Sequence, residues 1–423
     1  MYGLADFNNF FVSCERVFRP DLWNKPVVVL SGNDGCVVSR SNEAKALGIK
    51  MGVPLYQIRD LVEQYGITCF SSNFSLYGDL SSRVMSILRK HTNRFEQYSI
   101  DEGFINLDHV PANEQKKYCE QIVKDIYQGV GIPISMGIAP SKTLAKVASK
   151  YAKKYKGYHG ACIIDDTDKR RKALADFEIG DVWGIGRKAK AKLIGAGITT
   201  ALQFADCRED FARNLLHKTG LMTWRELNGE DCIDTREIAA KQSITRSRTF
   251  ATAISDLSVL EQQLSDFCEA CARQLRLQHS VCQRIIVYAI TSRFRTDIEP
   301  HQLAEEVILP VATSNTAELL QYALGALRKN FRPHTLYKRA GIILTHIAPQ
   351  HTALQDLFDE RNREKDSRLQ TALDKMHDKF GKRAIVFGTQ STAASANNQQ
   401  VYKVENRSPI YTTDINQLLQ IRV

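Results

Sequence analysis

The chain has 423 residues, 43% of them hydrophobic, and 57 Lys and Arg against 47 Asp and Glu give a formal net charge of +10. A chain of this length buries several cores, so two to four domains are expected, and the positive balance favours an anionic partner, either nucleic acid or an anionic membrane surface. No apolar run approaches the ~20 residues of a membrane span, and the N-terminus lacks a basic start followed by a long apolar stretch, which argues for a cytoplasmic protein with no membrane association.

In chain order, Tyr2 to Ala5 reads as a short apolar strand that ends on Asp6, and the aromatics Phe7, Phe10 and Phe11 surround the turn that follows. Core packing is the default for such rings. Residues 13–18 begin a helix and 26–30 form a buried strand. An Asn33-Asp34-Gly35 turn, two β-rich runs, and a helix capped by Ser41 and closed by Gly48 then make a compact α/β lobe. Ser39, Arg40, Asn42 and Lys45 line the start of that helix. Hydroxyl, amide and cationic groups there suit a triphosphate, although an ordinary charged helix has the same pattern. Residues 70–90 read as one long helix, with Leu76, Leu80, Val84, Ile87 and Leu88 on its buried face.

Next comes Tyr98-Ser99-Ile100-Asp101-Glu102-Gly103-Phe104. β-formers around a turn-permitting Gly predict two strands meeting in a tight hairpin, with adjacent carboxylates at the end of a sheet. A solvated hairpin tip is the plain reading. Two acids side by side repel, however, and keeping both ionised calls for a cation, of which magnesium suits oxygen ligands best. Together with the strand-terminal Asp6 they can supply three carboxylates to one sheet edge. Two metals ~3.5–4 Å apart in such a cage are the apparatus of in-line phosphoryl transfer. A helix at 114–129 and a strand at 132–138 complete a split βαβ pattern, shared by polymerase palms and nucleotide cyclases.

Residues 137–157 carry six lysines and no acid, on a helix capped by Ser141. The absence of nearby acids predicts an uncompensated face suited to phosphates. At 178–202, Gly184-Ile185-Gly186 precedes Arg187, Lys188, Lys190 and Lys192, which reads as a helix-hairpin-helix whose turn amides approach a DNA phosphate. From 243 the order is strand, helix (259–277), strand (284–291), strand (306–309), helix (316–330), strand (340–345), predicting a four-stranded sheet backed by two helices. Of the ten cysteines only Cys268 and Cys271 form a C-x-x-C pair, and they share one face of the 259–277 helix. They are read as core thiols rather than zinc ligands. Residues 373–380 are expected to be helical, 384–388 a short strand, and 391–400 disordered.

Asp6 with its aromatics, joined to Ser99-Ile100-Asp101-Glu102, resembles the palm signature of the Y-family, the translesion DNA polymerases. The run Asn33-Asp34-Gly35-Cys36-Val37 and the ending Arg407-Ser408-Pro409-Ile410-Tyr411 are similar to its UmuC branch, the catalytic subunits of bacterial DNA polymerase V. The resemblance implies an α+β right-hand polymerase: palm at 1–24 and 72–165, fingers at 25–71, helix-hairpin-helix thumb at 166–236, tether at 237–242, little finger at 243–348, and a tail at 349–423 with partner-binding segments. It further implies two Mg2+ ions held by Asp6, Asp101, Glu102 and the Phe7 main-chain oxygen. Phe11 becomes a steric gate under the incoming sugar, with Phe10 beside it. Ser39, Lys45 and Lys153 reach the triphosphate, while Asn42 stands where a tyrosine is common. Gly184, Gly186, Arg187, Lys188 and Lys190 in the thumb, and Arg246, Arg248, Arg284, Arg293 and Arg295 in the little finger, fall to DNA. Leu357 and Phe358 match a sliding-clamp plug in part, since Gln355 is closer than the usual spacing. The implied function is error-prone, template-directed synthesis across lesions during the SOS response, nucleoid-associated. Primer-template DNA, deoxynucleoside triphosphates, a processed UmuD dimer, the RecA filament and the clamp are the implied partners. A palm-fold nucleotide cyclase and a non-catalytic DNA-binding scaffold are the alternatives.

Overall fold

The computed structural model describes residues 1–235, 240–352, 359, 361–381, 384–390 and 404–418. The chain forms two compact units, one of Met1–Ile238 with Glu405–Val423 and one of Ala239–Val404. Among the described residues, no helix is long and apolar enough to cross a membrane.

The strands of the first unit are β1 (Tyr2–Phe7), β2 (Val27–Leu30), β3 (Val37–Arg40), β4 (Thr68–Ser71), β5 (Phe95–Gln97), β6 (Glu102–Asn106), β7 (Ile134–Ala139) and β8 (Ala161–Ile163). Five of them form a sheet in the order β5-β6-β1-β7-β8, with β1 antiparallel to both neighbours. Side chains alternate between the two faces of a strand, and here both faces are covered. Ala5 and Phe7 join Leu76, Leu80, Val84, Ile122 and Ile126 of the helices Phe74–Lys90 and Gln115–Val130 in one core. Leu4 and Phe104 turn the other way, toward Leu144 and Val147 of the helix Lys142–Lys154. Asp6 and Glu102 share the parity of Leu4 and Phe104, so they face this second helix.

A smaller sheet, β3-β2-β4, packs Val28, Leu30 and Val37 against Ala44 and Ile49. Here the expected helix over 70–90 is corrected. Thr68–Ser71 pair in parallel with β2, burying Phe70 and Ser71, and the helix begins only at Phe74, with the Asn73 side chain accepting from the Leu76 amide at 3.3 Å. Burial beside β2 overrides the local polar pattern.

Residues 166–236 hold the helices Thr167–Ala175, Arg187–Gly195, Ala201–Ala205 and Glu209–Leu227. The buried Glu226 fastens them to the neighbouring layer. Its carboxylate accepts from the Thr143 amide at 2.8 Å and from the Cys232 and Ile233 amides at 3.0 and 3.1 Å. A carboxylate at a helix N-terminus is favoured by the exposed amides and the helix dipole.

The second unit contains β9 (Ile244–Ile254), β10 (Ser280–Thr291), β11 (Gln302–Thr313) and β12 (Tyr337–Pro349) in the antiparallel order β11-β10-β12-β9, beneath the helices Leu257–Leu277 and Thr316–Asn330. Cys268 and Cys271 are free and fully buried in that core. The strands are longer than their apolar stretches suggested, because the open face needs no apolar side chains. The C-terminal helix is also longer than expected, Arg363–Phe380. Residues 384–388 are irregular instead of a strand, held where the Ile385 carbonyl meets His377 Nε2 at 2.8 Å. Leu357, Phe358, residues 391–400 and part of the expected tether lie outside the described residues.

Gly137 of β7 permits the close approach of the helix Lys142–Lys154, since a Cβ there would lie 1.9 Å from the Ala145 carbonyl and 2.3 Å from the Ser149 amide. The contact is with backbone, which cannot rotate aside. Gly137→Ala is expected to destabilise the protein by more than about 3 kcal/mol, read from urea unfolding midpoints against the parent.

Candidate active site

The antiparallel register places Asp6 directly opposite Glu102 across β1 and β6. Asp101 precedes Glu102 in the hairpin bend, and its carbonyl accepts from the Phe7 amide at 2.9 Å, which ties the acidic turn to the end of β1. All three carboxylates line a cleft of about 330 Å³ with Phe7, Phe11, Ser39, Arg40, Lys45 and Lys153. The palm acids and the small-sheet residues named from the sequence thus meet in one place.

The charge within the cleft is balanced by nearby donors. Lys153 Nζ pairs with Asp6 Oδ1, Lys146 Nζ pairs with Glu102 Oε1 at 2.7 Å, and Ser99 Oγ donates to Asp101 Oδ1 at 2.6 Å. Burial pushes the Asp6 carboxyl above the usual range, the Lys153 ammonium offsets this, and the charges of Glu102 and Asp101 add to the rise. Among the described residues no three His, Cys, Asp or Glu are already gathered as a metal cage. The acids are arranged around ammonium groups instead. Oxygen donors that two cations already neutralise are the donor set that hard divalent metals take, so the residues fit such a metal once the lysines withdraw.

Opposite the acids the cleft wall is cationic. Lys45 Nζ donates to Asn9 Oδ1 at 2.5 Å, and burial, with Arg40 and Lys153 nearby, holds its ammonium below the ordinary lysine range. The Arg40 guanidinium is steadied by the Ile49 carbonyl. Ser39 Oγ donates to the Asn9 carbonyl and accepts from the Val12 amide, both at 3.4 Å. Asn42 stands at the rim, accepting from Asn9 Nδ2 at 3.1 Å. Two rings that read alike in sequence separate here. Phe10 is buried against Phe7, whereas Phe11 is only partly buried and stacks on Tyr77 at 4.6 Å.

The expectation of an uncompensated lysine face over 137–157 is corrected. Lys142 meets Glu96 at 2.7 Å, Lys146 meets Glu102, Lys150 meets Asp181 at 2.7 Å, and Lys153 meets Asp6. Each acid is distant in sequence, so the pairing was invisible there. Sequence reasoning gave Lys146 no role; it proves to be a neighbour of Glu102, and it also lies over the Tyr98 ring at 4.5 Å and Trp183 at 5.3 Å. Trp183 Nε1 donates to the Tyr98 hydroxyl at 3.0 Å, linking the Gly184-Ile185-Gly186 turn to the acidic hairpin.

In that turn Gly184 takes φ +90°, and a Cβ would lie 2.4 Å from Thr223 Oγ1, so only glycine fits. Gly186 caps the helix Arg187–Gly195 with no side-chain hydrogen bond to its first amides. Arg187 and Lys188 are exposed at that helix start, whereas Lys190 folds back toward Glu178 at 3.9 Å. In the second unit Arg284 stands opposite Thr345 on the open sheet face and pairs with Glu306 at 3.0 Å. Arg246 and Arg248 stand opposite Ile342 and Ala340, residues of the helix-covered side. Arg293 is exposed in the loop after β10, and Arg295 pairs with Asp297 beside it.

Solved structures with this arrangement include a chimeric Y-family DNA polymerase built from Dbh and Dpo4, with a TM-score of 0.64 at 21% identity over 82% of this chain and 98% of that one. The insertion ternary complex of Dbh DNA polymerase gives 0.53 at 22% identity over 81% and 98%. The fold is therefore that of a Y-family polymerase. The impB/mucB/samB family matches residues 5–150, its C-terminal domain residues 241–357, and a domain of unknown function (DUF4113) residues 367–421. Protein ImpB of Salmonella typhimurium is 38% identical over 98% of this chain and 97% of its own length. Protein UmuC of Salmonella typhimurium strain LT2 is 36% identical over 100% of both, and DNA polymerase IV 1 of Bacillus subtilis is 26% identical over 95% and 97%. The chain belongs to the impB/mucB/samB family, as a UmuC-like Y-family translesion DNA polymerase.

Because the turn offers backbone amides beside the exposed Arg187 and Lys188, replacing both by Ala is expected to weaken duplex binding alike for unrelated sequences. The slope of log K against log salt should fall by about two, measured by fluorescence anisotropy across a salt series.

Proposed function

We propose that this chain extends a primer 3′ end on a DNA template by phosphoryl transfer assisted by two magnesium ions, and that it does so across damaged template during the SOS response. The observation that carries this reading is the register that sets Asp6 against Glu102, with Asp101 in the same cleft and a cationic wall facing all three.

The roles divide as follows. Asp6, Asp101, Glu102 and the Phe7 carbonyl would hold the metals, with Glu102 on the side of the primer 3′-hydroxyl. When bound, the metals supply charge neutralisation and a more acidic 3′-hydroxyl nucleophile. Lys146 and Lys153 act as place-holding counter-charges that give way on loading. Lys153 then turns toward the triphosphate, where Lys45 and Arg40 add positive charge and the Ser39 hydroxyl a hydrogen bond. Phe11, held flat on Tyr77, leaves no room for a 2′-hydroxyl. Val38 and Ser39 are small for a wall beside the nascent pair, which leaves space for a distorted template base.

The Gly184-Ile185-Gly186 turn grips a phosphate of the duplex without reading sequence. Likeness to UmuC along the whole chain supports partnership with a processed UmuD dimer, the RecA filament and the sliding clamp, with Leu357 and Phe358 at the clamp. It likewise supports work in the cytoplasm at the nucleoid.

Asp101→Asn keeps the size of the side chain and removes its charge. Primer extension with magnesium and four deoxynucleotides is expected to fall about 10²–10³-fold in this variant while duplex affinity holds, the size of effect seen when a main electrostatic contributor to a transition state is lost. Unchanged extension removes the assignment of the acids.

A further inference from the structure

The far end of the chain returns to the first unit. The Asn406 carbonyl accepts from the Ser71 amide at 3.0 Å, and the Asn406 amide donates to Ser71 Oγ at 3.0 Å, adding a parallel bridge beside β4. The Glu405 amide donates to Asp34 Oδ2 at 3.1 Å, and Tyr411 stacks on Phe18 with centroids 4.5 Å apart. Between these anchors Ser408 is buried. Asn73 Nδ2 donates to the Ser408 carbonyl at 2.9 Å and to its Oγ at 3.0 Å. Ser408 Oγ donates in turn to Glu15 Oε1 at 3.0 Å, the same oxygen that accepts from the Tyr77 hydroxyl at 2.6 Å.

Tyr77 is the ring on which Phe11 lies, 4.6 Å away and 14° from parallel. Two hydrogen bonds and one ring stack therefore join Ser408 to Phe11. Glu15 and Tyr77 are fully buried, and among the described residues Glu15 Oε2 has no hydrogen-bond partner, so Oε1 carries the polar contacts of the carboxylate. Two donors from different segments fix where that oxygen sits, and without the Ser408 hydroxyl the carboxylate is anchored by Tyr77 alone and can rotate together with it.

We propose that residues 405–411 strap the ring stack in place, and that Ser408 is a positioning residue for sugar selection, acting on Phe11 through Glu15 and Tyr77. This rests on the reading of Phe11 as the sugar gate. It gives a task to the last part of the segment that matches a domain of unknown function. The strap also joins β4 and the Gly32–Asp34 turn between β2 and β3 to the helices Phe10–Phe18 and Phe74–Lys90, so the floor of the gate and the cationic wall share one fastening.

The test compares single incorporation of a deoxynucleotide and the matching ribonucleotide by the full chain and four variants: Phe11→Ala, Ser408→Ala, Ser408→Thr and Tyr77→Phe. Ser408→Ala should raise the ribo-to-deoxy ratio of kcat/KM by about tenfold, with deoxynucleotide kcat/KM within about twofold of the parent, the scale of one lost hydrogen bond to a charged group. Tyr77→Phe should do likewise, and Ser408→Thr, which keeps the hydroxyl, should match the parent. If Phe11→Ala relaxes the ratio while Ser408→Ala and Tyr77→Phe leave it unchanged at an unaltered Tm, the strap is overturned and the gate stands. Parallel loss of both incorporations at an unchanged ratio marks a merely structural tail and overturns it too. A ratio unmoved in Phe11→Ala removes the gate reading and the inference with it.

Discussion

Three carboxylates at the end of one sheet repel each other, and that repulsion is the constraint around which the first unit is built. Because Asp6 and Glu102 are cross-strand partners, they cannot separate without slipping the register, which would turn Leu4 and Phe104 out of their core. The energy of the cluster therefore has to be lowered by bringing positive charge to it. Lys146 and Lys153 do this from one helix, seven residues apart and so on the same face. Gly137 lets that helix approach, Ser141 caps it and Glu226 pins its first turn.

The same arrangement explains how a site can be stable before it is loaded and still available afterwards. An ammonium on a flexible stem is a compact, strongly hydrated charge that can move away when a better one arrives. The other wall shows the reverse imbalance: Arg40 and Lys45 stand close together, the charge of Lys153 reaches them from across the cleft, and burial already holds the Lys45 ammonium down. One side of the cleft thus needs cations and the other needs an anion. The metal-bound triphosphate of the proposed reaction would satisfy both at once.

Much of this was legible in the sequence, for physical reasons. Strands with a period of two announce which residues share a face, so a strand-terminal Asp6 and the Asp101-Glu102 hairpin could be brought together on paper. The glycines at 184 and 186 mark a turn that only glycine permits at its first position. What stayed hidden depended on long-range partners. The lysines of 137–157 look alike locally, and only the packing of their helix decides that Lys153 meets Asp6 while Lys150 meets Asp181. Thr68–Ser71 are too short a run to announce a strand without β2 beside them. Arg246 and Arg248 could not be given a face before their register with β12 was known. The bond between Asn73 and Ser408 spans 335 residues of sequence, and no local pattern forecasts it.

The most direct test of the central claim is anomalous diffraction from crystals grown with manganese and a non-hydrolysable deoxynucleoside triphosphate. The account predicts two manganese peaks bounded by Asp6, Asp101 and Glu102, with the Lys146 and Lys153 ammonium groups moved off the carboxylates. Manganese bound elsewhere while both lysines stay seated on Asp6 and Glu102 would contradict it.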